Sequence, residues 1–88
     1  MRPEDERARI REMERAAQAQ AITDSPLWGE AYDTLINAQL SRMLARETPD
    51  DETLECKRQI LALNDVKRRL GDIMRTGEMA RIQLEKDK

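Results

Sequence analysis

Few residue types in this chain of 88 amino acids are suited to act on a substrate, and each has a plainer structural reading. Asp50, Asp51 and Glu52 bring three carboxylates together, a set that suits a divalent cation or an acid/base pair. They follow Thr48 and Pro49, however. Thr-Pro followed by acids is a helix start, with acids in the first turn where the helix dipole favours negative charge. Asp51 also stands three residues after Thr48, as in a capping box with a shortened acid. Cys56 is the only cysteine, so it can form neither an internal disulfide nor a zinc site. It falls on an apolar stripe, which predicts a buried and inert thiol. Histidine is absent, which removes the commonest general base and metal ligand. There is no glycine-rich phosphate loop. The expectation is a protein that is not an enzyme, with no cofactor and no metal.

Cationic residues offer a second kind of chemistry, contact with phosphate. Lys67, Arg68, Arg69 and Arg75 are the candidate nucleic-acid contacts, with Lys57 and Arg58 earlier on the same predicted helix. Asp65 lies three and four residues before Arg68 and Arg69, and Asp72 three before Arg75, so intrahelical ion pairs compete for this charge. Charged residues make up 39% of the chain, yet the formal net charge is −2. A general nucleic-acid footprint needs a basic excess, so nonspecific nucleic-acid binding is an alternative and not the leading expectation.

These residues must be carried by helices. Phe is absent and Trp28 and Tyr32 are the only aromatics, so the core is built from Leu, Ile, Met and Ala, which favour helix over strand. The fold class expected is all-α, a three-helix chain in one small domain. Pro3 followed by Glu4, Asp5 and Glu6 starts a charged N-terminal helix over 4–22. Ser25-Pro26 starts a second over about 26–46, and Thr48-Pro49 a third over about 49–76. So short a connection between the last two makes them an antiparallel hairpin. Thr76-Gly77 reads as the end or a kink of the third helix, leaving 77–88 as a helical or frayed tail.

Apolar spacing then assigns the faces. In the third helix Cys56, Ile60, Leu63, Val66, Leu70, Ile73 and Met74 recur at steps of three and four. The residues expected to hold the hairpin are Leu35, Leu40, Ile60, Leu63, Leu70 and Ile73. The second helix is too apolar to be covered by one neighbour, whereas the first carries only a thin seam of Ile10, Met13, Ala17 and Ala21. Ile10, Met13, Ala17, Trp28 and Tyr32 are therefore the candidate protein-interface residues, and a homo-oligomer is the simplest way to cover them. No apolar run approaches a membrane span, and the N-terminus lacks the hydrophobic segment of a signal peptide, so the expectation is a cytoplasmic protein with no membrane partner.

One resemblance rests on the order of these features: Asp24-Ser25-Pro26-Leu27-Trp28, then Glu30-Ala31-Tyr32-Asp33-Thr34-Leu35, the turn Arg46-Glu47-Thr48-Pro49-Asp50-Asp51, then Leu61, Val66, Arg69, Leu70 and Thr76-Gly77-Glu78-Met79-Ala80. Over residues 24 to 84 the chain resembles the small helical-hairpin proteins of the packaging and structural gene clusters of tailed bacteriophages, including short small-terminase subunits. The resemblance implies a non-catalytic, self-associating component of a phage particle or its DNA-packaging machinery. It would act in the host cytoplasm or virion, with a larger phage or host protein as a further partner. There is no room for a separate helix-turn-helix domain, which argues against sequence-specific DNA reading. A small inhibitor of a host defence system shares the same size and charge and is the other open alternative.

Overall fold

The computed structural model describes residues 1–87. Among them the chain is all-α, with α1 at Pro3–Asp24, α2 at Pro26–Leu44 and α3 at Asp50–Lys86. The helices group into two compact units. One joins residues 1–24 to the part of α3 from Arg68 onward; the other spans Ser25–Lys67.

In the Ser25–Lys67 unit, α2 and the first half of α3 run antiparallel. Arg42 Nη2 lies 3.6 Å from Glu52 Oε2 near the turn, and Tyr32 hydrogen-bonds Asn64 farther along. Pro26 is at the start of α2 as expected, although the Ser25 side chain makes no capping hydrogen bond. Thr48 does not have the role its position suggested. Its hydroxyl donates to the Arg42 carbonyl at 2.6 Å, so it satisfies a carbonyl left over at the end of α2. Pro49 supplies the first backbone acceptor of α3, taking the Thr53 N–H at 3.0 Å. α2 thus ends at Leu44, earlier than the expected 46.

In the other unit, α1 lies against the second half of α3. Thr23 Oγ1 donates to Met74 Sδ at 3.8 Å, and Ala16 lies over Gly77. The α1 residues turned inward are Glu12, Ala16, Ala19 and Thr23. Glu12 and Ala16 lie against Gly77, and on α3 Gly77 and Ala80 are buried, with Leu70, Ile73 and Leu84 half-buried. Small side chains bring the two backbones close: a Cβ on Gly77 would overlap the Cβ of Ala16 and stand 2.9 Å from the Glu12 carbonyl oxygen. This reassigns Gly77. It neither ends nor kinks α3, which continues to Lys86, and among the described glycines none has a positive φ. The helical cost of a glycine is accepted here for the close approach it permits.

The hairpin seam also differs from expectation. Leu70 and Ile73 belong to the unit of α1, not to the α2 hairpin. Leu35 and Leu40 are exposed rather than central, and Val66 is turned out of the stripe. The residues of α2 that face α3 are Trp28, Tyr32, Ile36, Gln39 and Met43, all half-buried. Opposite them lie Thr53, Cys56, Ile60 and Leu63. Two helices side by side enclose no interior, because each seam residue is flanked on one side only. Of this unit Cys56 alone is buried, at 1% exposure.

Candidate functional site

The acids that might have held a metal, Asp50, Asp51 and Glu52, form the exposed first turn of α3. Among the described residues no group of three or more Cys, Asp or Glu is placed to hold a metal ion, and no helix is long and apolar enough to cross a membrane. The Cys56 thiol lies in the hairpin seam, as its stripe position suggested.

The candidate phosphate contacts all lie on α3, and Lys67, Arg68 and Arg75 have other company. Lys67 Nζ is 4.8 Å from the centroid of the Tyr32 ring, a cation–π contact. Arg75 is ion-paired with Asp72. Arg69 borders a small hollow with Glu12, Arg15 and Asp72, where the signs alternate. Arg68, like Asp65, has an interaction of its own. Farther along, Arg81 bridges Glu78 and Glu85: its Nε donates to Glu78 at 3.0 Å and its Nη1 to Glu85 at 2.6 Å. The Arg81 hydrogen bond, with its positive charge, holds the Glu78 carboxyl below the usual glutamate value. The two carboxylates push the guanidinium up.

Of the candidate interface residues, Ile10 is exposed on the outer side of α1. Met13 and Ala17 border a hollow beside Gly77. Trp28 and Tyr32 are half-buried, their rings stacked with centroids 6.3 Å apart and planes inclined by 28°. Tyr32 is tied further by its hydroxyl to Asn64 and by Lys67 over its face.

Several large apolar residues of the hairpin remain bare, among them Leu35, Leu40 and Val66, which their spacing had marked for the core. On α2, which has no buried residue, Leu27 is 71% exposed and Leu44 82%, with Leu35 and Leu40 also exposed. On the first half of α3, Leu54, Leu61 and Val66 are each about half exposed, between 47% and 53%. Scattered exposed leucines are ordinary on a protein surface, but here they crowd one small helical hairpin. The signal was present in the spacing: Leu27, Ala31 and Leu35 recur at steps of four, one turn apart, on the flank of the Trp28–Tyr32–Ile36 row. No protein-family model matches the chain, and neither a curated protein nor a solved structure matches it.

Proposed function

We propose that this protein is a non-catalytic assembly component that self-associates through the hairpin of Ser25–Lys67. The observation that carries the reading is the uncovered apolar surface of that hairpin. It spans about forty residues, a size at which a fold usually needs a disulfide, a metal or a partner to be stable. It has a single cysteine and one buried residue, Cys56. A second hairpin laid on the first converts a two-helix layer into a bundle with an interior. Identical copies supply matching surfaces at equal concentration, which makes another copy of the chain the simplest cover.

The resemblance to small helical-hairpin phage proteins gives this assembly its setting, a tailed-phage particle or its packaging machinery. Nonspecific nucleic-acid binding has less support, because Lys67 lies over Tyr32 and Arg75 is paired with Asp72. Light scattering coupled to size exclusion, over a concentration series through the micromolar range, tests the proposal. The expected result is a mass that rises above that of one chain with concentration. A single-chain mass throughout would overturn it, and would leave a small inhibitor docked on a larger protein as the better account.

A further inference from the structure

We infer that copies of this chain associate head to tail, the Leu27–Leu35 flank of one hairpin receiving the Leu44 flank of the next; this rests on the self-association proposed above. At about 100° per residue, the row of α2 facing α3 divides the remaining apolar residues into two groups. Leu27, Ala31 and Leu35 lie about 100° to one side of that row, and Leu40 and Leu44 about 100° to the other. On α3, Leu54 and Leu61 lie to one side of the Cys56–Ile60–Leu63 row and Val66 to the other. The helices are antiparallel, which puts Leu54 and Leu61 on the same face of the hairpin as Leu40 and Leu44. Val66 joins Leu27, Ala31 and Leu35 on the opposite face.

The hairpin is thus a layer of two helices with an apolar patch on each side. Each patch exposes on the order of 400 Å² of apolar surface, close to the apolar share of the ~800 Å² that each partner buries in a standard interface. A two-fold dimer through either patch would leave the other bare. The patches are also unlike. Leu27, Glu30, Ala31, Thr34 and Leu35 line an open hollow. The other patch carries Leu44, the most exposed large apolar residue described. Leu27 projects beside the hollow on its own face, and the hollow is open to receive the more exposed Leu44 of another copy. That is the condition for a heterologous contact, which repeats beyond two copies.

Two double variants test the inference, Leu27→Glu with Leu35→Glu, and Leu40→Glu with Leu44→Glu. All four positions are exposed, so far-UV circular dichroism should show wild-type helicity in both. By light scattering the wild type should exceed the mass of two chains, and each variant alone should have the mass of one. Mixed in equal amounts, the variants should form a one-to-one heterodimer and nothing larger, because together they retain one intact copy of each face. Should glutamate unfold either variant, the alanine versions of the same pairs replace them, with an expected tenfold or greater weakening of association and the same complementation. Variants that stay homodimers, or that remain monomeric when mixed while the wild type associates, would overturn head-to-tail docking and leave self-association standing. A monomeric wild type would overturn both.

Discussion

Gly77 lies beneath Ala16 so closely that no side chain fits between the two helices. Glycine and alanine exchanges at different places in this chain should therefore have opposite signs. At Gly71 an added Cβ meets only the Arg75 guanidinium, at 3.6 Å, in ordinary contact. Gly71→Ala should raise stability by up to about 1 kcal/mol through helix propensity alone. Gly77→Ala gains the same propensity but must push α1 away, and overpacking of this kind costs about 1–3 kcal/mol. Thermal melts of the two variants should move in opposite directions from the wild type; a Gly77→Ala protein more stable than wild type would show that α1 does not dock here.

Glu78 has its pKa lowered by Arg81, so its bridge contributes stability above the unfolded carboxyl's value and loses that contribution as pH falls through the lower, folded one. Side-chain NMR titration should find Glu78 below the ordinary glutamate range, and Arg81→Gln should return it there. The melting difference between wild type and Arg81→Gln should shrink as the solution is acidified through that range.

Association should be visible in stability itself. Because Leu35 is exposed in the single chain, Leu35→Ala should change the melting temperature little at high dilution. At high concentration it should melt below the wild type, since binding of another copy stabilises the folded state by mass action. Leu63→Ala, in the seam, should lower the melting temperature at every concentration. Equal shifts for Leu35→Ala at all concentrations would place Leu35 inside a single-chain core instead.

Tyr32→Phe removes the hydroxyl bonded to Asn64 while keeping the ring under Lys67. The bond is exposed, so the expected loss is small, about 0.5–1.5 kcal/mol in urea unfolding. Lys67→Gln should cost a similar or smaller amount. The two effects should couple when combined, because both partners act on the same ring.

The helix starts and the fold class were legible in the sequence because local chemistry decides them: Pro3 and Pro26 begin α1 and α2, and acids fill the first turns of α1 and α3. Partner choice was much less legible. Gly77 carries the signature of a helix end, and only the neighbouring α1 reveals it as a point of close approach. In α1 the eye goes to Ile10 and Met13, yet Ala16 makes the close approach to Gly77 and Ala19 is the buried residue, since a seam made with glycine favours small neighbours. Leu35 and Leu40 carry the mark of core residues, and the single chain leaves them uncovered. Hydrophobic spacing tells which residues seek cover, not which chain provides it. The candidate site was thus half visible, as an excess of apolar width on α2 whose position around the helix only the seam with α3 defines.

Cys56 has a consequence for how this protein survives damage. While the hairpin is folded the sulfur is out of reach of oxidants. Heating or denaturant exposes it on every chain at once, with no second thiol in the same chain to react with. In air the unfolded molecules would then be linked covalently in pairs through a residue that must return to the seam for the hairpin to close. Each oxidative capture would remove two chains from the refolding pool, so recovery after unfolding should depend on a reductant even though the folded protein has no use for one.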